Sequence, residues 1–314
     1  MAKKALTVTL NASVDTTYFV EGFRIGEIHS AQAVSRVAGG KGNNVARVLR
    51  LLGVEVTATG LAGGRAGSFL EEYLERLGIH PAFEPIAGES RTCLVFVDRQ
   101  GRTLTEVREP GPVVSTAEAE RFLQRFARLA GEAEVVVLSG SLPPGLPGDF
   151  YARLVATARQ AGAWVVLDSS GVALREGLTA GPDLVKPNRD ELTAWSGGSL
   201  ESSGQILTAA ERMREGGAGA VAVSVGAEGL LYLGPEGSWQ LQPPPVPVVN
   251  PVGSGDSLIA GLVAGRLEGR SMLEALRLGV ACGTANAMTE SVASPDRQTV
   301  ARLEAEIQVQ PVHL

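Results

Sequence analysis

The stretch EVVVLSGSLPPGLPGDFYARLVATARQAGAWVVL, residues 134–167, decides the fold class. It opens on a continuous apolar run, Glu134–Leu138, crosses a Pro- and Gly-rich turn, and enters a helical pattern over Phe150–Gln160. A second apolar run, Ala163–Leu167, follows at once. Short β-rich runs with no polar alternation are buried on both faces, and a helix between two of them is a crossover connection. The unit predicts parallel strands in a sheet covered by helices on both sides.

The same rhythm extends outward in both directions. Upstream lie a strand at Ala5–Leu10, a helix at Val45–Leu52, a strand at Val54–Leu61 ending in Gly63-Gly64, and helices at Ser68–Leu77 and Thr116–Leu129. Downstream, a turn-rich gap leads to the strand Asp183–Val185, the helix Ser202–Glu215 and the buried strand Ala220–Val225. Ser257–Glu290 holds two apolar helices joined near Gly269. Two regions break the alternation. Thr16–Val37 and Ser90–Val107 carry β-type segments and the turn Asp98-Arg99-Gln100-Gly101, with no helix between. They predict a small antiparallel sheet standing off the main body, its edge covered by substrate or by a second subunit. Pro243–Pro247 cannot be a central strand and must be a connection. Residues 1–314 are expected to form one α/β domain with a β lid from about 16–37 and 90–107.

Composition narrows the function. Hydrophobic residues make up 44 % and charged residues 20 %, ordinary for a globular protein. A formal charge of −6 argues against nucleic acid as a partner, since a duplex binder needs a cationic face, and leaves room for a local basic pocket for a small anion. No run of about 18 apolar residues exists, so no membrane span is expected. The start, MAKKALTVTLNASVD, reads as a first strand and not as a signal peptide. Two cysteines, Cys93 and Cys282, without metal or redox spacing suit a reduced cytoplasmic protein. His29, His80 and His313 sit apart and offer no metal site or triad.

The strongest motif is Asn250-Pro251-Val252-Gly253-Ser254-Gly255-Asp256-Ser257, running straight into the helical stretch Leu258–Leu267. Glycines before a helix let backbone N–H groups converge at the positive end of the helix dipole, where an anion sits. Asp256 at that helix start is either a cap or a base. A second turn, Gly39-Gly40-Lys41-Gly42-Asn43-Asn44, also opens a helix and carries a lysine for an anionic group; its plainer reading is a tight turn with an Asn cap. Two anion-suited helix starts fit a reaction between two phosphorylated molecules. Lys186-Pro187-Asn188-Arg189-Asp190-Glu191 has the spacing of a capping box, and equally of oxygen groups shaping the water shell of Mg²⁺. Ser224-Val225-Gly226-Ala227-Glu228-Gly229 suits a hairpin or the approach of a nucleotide, and Ser139-Gly140-Ser141 follows an apolar strand. Asp15, after the first strand, is placed to accept from sugar hydroxyls or simply to be solvated. Arg91, in the expected small sheet, could clamp a phosphate or face water.

In their order these motifs resemble the phosphofructokinase B family, within the ribokinase-like fold, from Leu6 to about Glu290. Ala38–Gly64 resembles the family's first signature and Asn250–Leu262 its second. The wider family commonly has Asp-Thr before Gly-Ala-Gly-Asp, where this chain has Asn250-Pro251 and Ser254. That form, with Thr103–Pro112 (TLTEVREPGP), is similar to the tagatose-6-phosphate kinase branch, and the 1-phosphofructokinases are near neighbours. The resemblance implies a three-layer sandwich with a mainly parallel sheet and a β lid, and ATP-dependent phosphorylation of a ketohexose phosphate. Tagatose 6-phosphate is the first expectation, and fructose 1-phosphate or fructose 6-phosphate the alternative. It implies Asp256 as base, with Gly253, Ser254 and Gly255 forming the anion hole. Asp15, Gly39, Gly40, Lys41, Asn44, Arg91 and Ser139 would bind the sugar phosphate. Lys186, Asn188, Ser224, Gly226, Gly229, Gly255 and Asn286 would line the ATP site, with Cys282 bordering the adenine. Asn188 and Glu191 would arrange Mg²⁺ through water. It further implies a homodimer through the lid. A sugar-phosphate sensor without turnover is the rival of another class, and the intact Asp256 and Gly-Ser-Gly turn argue against it.

Overall fold

The computed structural model describes residues 4–101 and 103–312, so His313 and the first three residues lie outside the described part. Strand β1 (Lys4–Thr9) starts the central sheet, and β2 (Ser13–Val20) and β3 (Ala33–Gly39) leave it. Helix α1 (Lys41–Leu51), β4 (Glu55–Ala62) and α2 (Gly64–Arg76) return to it, followed by the short strands β5 (His80–Pro81) and β6 (Glu84–Pro85). β7 (Arg91–Asp98) and β8 (Thr103–Arg108) leave it again. Then come α3 (Thr116–Ala130), β9 (Val135–Ser139), α4 (Phe150–Gln160), β10 (Trp164–Asp168), α5 (Gly171–Leu178), β11 (Leu184–Val185), α6 (Arg189–Ser196), α7 (Ser203–Glu215) and β12 (Ala220–Ser224). The chain closes with the hairpin β13 (Leu230–Gly234) and β14 (Gly237–Gln242), helices α8 (Ser254–Glu268), α9 (Met272–Ala287) and α10 (Arg297–Glu306), and β15 (Gln308–Pro311).

The strand order is β15-β14-β13-β12-β11-β10-β9-β1-β4-β5. Pairing is parallel from β5 through β12 and antiparallel from β12 to β15. Because side chains alternate along a strand, each apolar run feeds two cores. Ala5, Val135 and Val137 pack with Val48 of α1, Leu262 of α8 and Leu276 of α9. Leu6, Val8, Val136 and Leu138 pack on the opposite face with Phe122 and Phe126 of α3 and Leu154 of α4. Helices cover both faces, as the continuous apolar runs require. Among the described residues no helix is long and apolar enough to cross a membrane.

The lid is a separate sheet of order β3-β2-β7-β8. Its outer pairs, β2–β3 and β7–β8, are antiparallel, and its central pair is parallel, from Ser13 opposite Arg91 to Val20 opposite Asp98. β2 follows the carboxyl end of β1, and β7 follows β6 at the carboxyl end of β4, so both set out from the same end of the main sheet. Two strands that start together run together. The turn-rich gap after Leu167 contains α5, and the region after Val225 adds the antiparallel strands β13 to β15 and helix α10, beyond what periodicity indicated. Helices α1 and α8 begin at Lys41 and Ser254, several residues before their apolar periodicity, because their first turns are polar.

Candidate active site

A cavity of about 960 Å³ opens beyond the carboxyl ends of β1, β9, β10 and β12, with Asn11, Gly140, Asp168 and Ser224 in its wall. That volume lies in the upper part of the usual range for ligand sites and leaves room for more than one small ligand. Lid residues close one side and the start of α8 another.

At the α8 start, Gly253 adopts φ 80°, a left-handed conformation that glycine takes without steric penalty. No side chain caps this end, so first-turn N–H groups remain available to an anion. The turn is fastened from behind. Asn250 Oδ1 accepts from the Val252 N–H at 3.0 Å, and Asn250 Nδ2 donates to the Glu290 carbonyl at 3.1 Å. Asn286 donates to the Val252 carbonyl at 2.9 Å and to Ser254 Oγ at 3.1 Å. Asn286 is fully buried and does not line the cavity; its amide holds the glycine turn at the α8 start. Asp256, in the first turn of α8, is 6 % exposed and accepts from Asn44 Nδ2 at 2.8 Å. Burial, reinforced by the nearby charge of Asp168, pushes its carboxyl up to about 6, while Lys41 pulls the other way.

At the α1 start, Gly40 has φ 99° and again no side-chain cap. Lys41 reaches Asp168 at 3.3 Å and Glu191 at 3.4 Å, and Lys186 lies 3.6 Å from Asp168. Burial alone would lower the Lys41 pKa; Asp168, Glu191 and Asp256 outweigh it and raise it. Burial alone would raise Asp168; Lys186 and Lys41 outweigh it and hold this carboxyl below the usual range. Asp168 was not among the residues expected at the site, although its signal was there: a carboxylate directly after a buried apolar strand. Ser139 is fully buried and does not line the cavity; its Oγ donates to Asp168 Oδ2 at 3.3 Å and supports that carboxylate from behind. Asn188 and Glu191 do form the capping box of α6, with Oδ1 of Asn188 2.7 Å from the Glu191 N–H and Oε2 of Glu191 2.9 Å from the Asn188 N–H. The second Glu191 oxygen is the one facing Lys41.

On the lid side, burial raises the Asp15 carboxyl against the pull of the Ser13 hydroxyl, 2.6 Å away, and of Arg91. Gly39 does not line the cavity. A side chain there would overlap the Asp15 carboxyl, so this glycine makes room for Asp15. Arg91 reaches the cavity, with Nε on the Asn11 carbonyl and Nη1 on the Glu109 carbonyl, both at 3.1 Å. Glu106 and Arg108, joined by a fork of 2.6 and 2.7 Å, line the cavity too. Their spacing of two in a strand puts them on one face, a signal present in the stretch TLTEVREPGP. At the other end, Gly226 and Gly229 of the β12–β13 turn face Pro243–Pro245 and Gly283 and Thr284 of α9. Cys282 points away from the cavity, packed against Gly261 between α8 and α9.

Residues 6–299 match the family model described as pfkB family carbohydrate kinase. The chain is 34 % identical over 311 residues to the 1-phosphofructokinase of Escherichia coli K12, covering 99 % of both chains. Phosphofructokinase-2 from Escherichia coli in complex with potassium superposes with a TM-score of 0.91 at 29 % identity, covering 97 % of this chain and 99 % of the other. Arabidopsis thaliana ribokinase, solved with ribose and ATP, shares the fold at a TM-score of 0.77 and 24 % identity, covering 97 % and 99 %. A glycine-lined helix start beside a buried carboxylate, facing a lysine turn across the strand ends, is thus framed by a whole-chain match: the chain belongs to the pfkB family of carbohydrate kinases and is an ATP-dependent sugar kinase.

Proposed function

We propose that this kinase phosphorylates a ketohexose monophosphate at its free primary hydroxyl, giving a bisphosphate. The observation that carries the reading is Asp256, buried in the first turn of α8 beside Gly253–Gly255 and held by Asn44, in one cavity with Lys41, Lys186 and Arg91. The acceptor hydroxyl gives its proton to Asp256 as its oxygen bonds the γ-phosphorus, and the bond from that phosphorus to the ADP oxygen breaks. N–H groups at the α8 start and the Lys186 ammonium, which packs against Gly255, meet the charge on the moving phosphoryl group. Lys41, Asn44, Asp15 and the lid arginine Arg91 hold the phosphosugar; Ser224, Gly226 and Gly229 border the nucleotide.

A divalent ion accompanies ATP in such chemistry. Among the described residues no group of three or more His, Cys, Asp or Glu side chains forms a metal cage. Asp168 and Glu191 are hard oxygen donors already partly engaged by Lys41, which fits an Mg²⁺ carried on nucleotide phosphates and bound through water, with Asn188 beside it. Bound there, the ion would neutralise phosphate charge. The exposed apolar side chains of the lid, Val34, Leu104 and Val107, with Ile25 and Ile28 in the β2–β3 connection, support a homodimer through this sheet.

Full-length likeness to a 1-phosphofructokinase favours fructose 1-phosphate as the acceptor. The Asn250-Pro251 form and the TLTEVREPGP stretch keep tagatose 6-phosphate as the second reading. The test is kcat/KM at fixed Mg-ATP for fructose 1-phosphate, tagatose 6-phosphate, fructose 6-phosphate and unphosphorylated fructose. The fructose 1-phosphate reading expects the first to lead. Preference for the free sugar would overturn the phosphosugar assignment altogether.

A further inference from the structure

We propose that Arg47 is a positioning residue that locks the catalytic carboxylate and the anion-binding turn into one register. The proposal rests on the reading of Asp256 as base. Arg47 stands one turn after Asn44 on the same face of α1. Its Nη2 donates to the Val292 carbonyl at 2.9 Å, and its Nη1 lies 3.5 Å from Asn44 Oδ1, at the outer limit of hydrogen bonding. The guanidinium also sits over the Tyr73 ring of α2 at 5.9 Å.

Each contact has a consequence for the site. An arginine only donates, so it fixes the carbonyl oxygen of the Asn44 amide on its own side. The amide nitrogen must then face Asp256, where it donates at 2.8 Å. Flipped, Asn44 would turn its oxygen toward the carboxylate and repel it. At its other end Arg47 grips the segment that presses on the anion-binding turn. Ala293, next to Val292, is buried with φ 52°, the one left-handed non-glycine residue among those described. The Ala293 N lies 3.1 Å, and the Val292 Cγ1 2.7 Å, from where a Gly253 side chain would begin. A strained residue persists only where its surroundings hold it. Arg47 supplies one such hold, and joins the backing of Gly253 to the partner of Asp256.

Loss of the guanidinium frees Asn44 to rotate, and Asp256 then loses a hydrogen bond that favours its charged form. The other charges facing Asp256 are Lys41 on α1, Asp168 at the end of β10 and Lys186 after β11; those facing Arg47 are Asp15 and the Tyr73 ring. Arg47→Met also removes a positive charge that pulls the Asp15 carboxyl down, so the Asn44 effect is read from a limb shift that persists in Arg47→Lys, which keeps that charge.

The experiment compares wild type, Arg47→Met, Arg47→Lys and Asp256→Asn by steady-state kinetics from pH 5 to 9, with Tm measured alongside. Arg47→Met is expected to lose about 10- to 100-fold in kcat, the scale of a small misplacement of reacting groups. KM for ATP should move less than about threefold, KM for the phosphosugar should rise because Asn44 also holds it, and the acid limb of kcat/KM should shift to higher pH. Arg47→Lys, which reaches one acceptor but not both, should fall between. The proposal is overturned if Arg47→Met keeps kcat within about twofold, or loses activity only in step with its unfolded fraction while the limb stays put. Should Met not fold, Arg47→Lys is judged on the same two readings. Near-normal turnover by Asp256→Asn would instead sink the assignment of the base itself.

Discussion

The two helix starts that face each other across this cavity look alike in sequence and are electrostatic opposites. Both are uncapped glycine turns with a positive φ at the N-cap, Gly40 at 99° and Gly253 at 80°. The α8 start places a carboxylate, Asp256, in the positive field of its own helix, where the dipole favours it. The α1 start places a cation, Lys41, in the same kind of field, where the dipole opposes it. Lys41 is held there by Asp168 and Glu191, which arrive from β10 and α6, 127 and 150 residues away. One turn carries its glycines and its carboxylate in a single local stretch, with Asn44 and Asn286 fastening it from elsewhere. The other depends on partners that only the tertiary fold delivers.

The comparison breaks most sharply at Asp256. Asp256→Asn keeps shape and the Asn44 contact and removes the proton acceptor, so kcat should fall about 10²- to 10⁴-fold while both substrates still bind. Turnover near the wild-type rate would deny the α8 start its role. At the α1 start the corresponding cut is Asp168→Asn. Lys186, 3 % exposed, would lose its carboxylate partner, and breaking such a buried pair destabilises by about 3–5 kcal/mol. Urea unfolding should show that loss. The acid limb of kcat/KM should also move to lower pH, because Asp168 no longer repels the charged form of Asp256. A stable Asp168→Asn enzyme with an unmoved limb would show that the two turns are not electrically joined.

This asymmetry also explains what the sequence disclosed and what it withheld. The layered α/β fold was legible because buried strands such as Val135–Ser139 and Trp164–Asp168 carry their burial in a local run of apolar residues. The α8 start was legible for the same reason: glycines, carboxylate and helix are neighbours in the chain. Asp168 escaped notice because it is a single residue whose importance comes from Lys41 and Lys186, and neither is near it in sequence. Ser139 and Asn286, which the resemblance implies as site residues, stand behind the cavity wall, a distinction between wall and backing that pattern reading cannot make. The lid was visible as a β region, but its parallel centre follows from where two distant strands leave the main sheet, which no local pattern records.

Lys41→Ala sharpens the comparison in a milder way. In the proposed reaction the α8 start serves the transferring phosphoryl group and Lys41 the acceptor. KM for the phosphosugar should therefore rise about tenfold or more while KM for ATP changes little, since removing an uniform binding contact raises KM for the ligand it touches. Arg91→Ala should behave likewise. Equal effects on both substrates would mean that the two ends of the cavity are not divided in this way.

The smallest expected effect separates the turns by proton linkage. Asp256 titrates at about 6 in the folded chain against an ordinary 3.8, so folding favours its protonated form. Its stabilising contribution is complete below about pH 4 and is lost as pH rises through 6, at which point the buried charge has forfeited about 3 kcal/mol. Asn at this position carries no such penalty. Asp256→Asn should thus melt a few degrees above wild type at pH 8, with the difference closing toward pH 4. Activity below pH 6 should fall in wild type over the same window, about tenfold per pH unit, because the base must be ionised to act. Asp168, held below its usual range, has the opposite sign: its pairing stabilises at neutral pH and fails only in stronger acid. Calorimetry of both Asn variants at pH 4 and pH 8 would show one gaining and one losing stability at the higher pH. A common sign for the two would mean that burial, and not the contrast between a lone carboxylate and a paired one, governs the charges in this cavity.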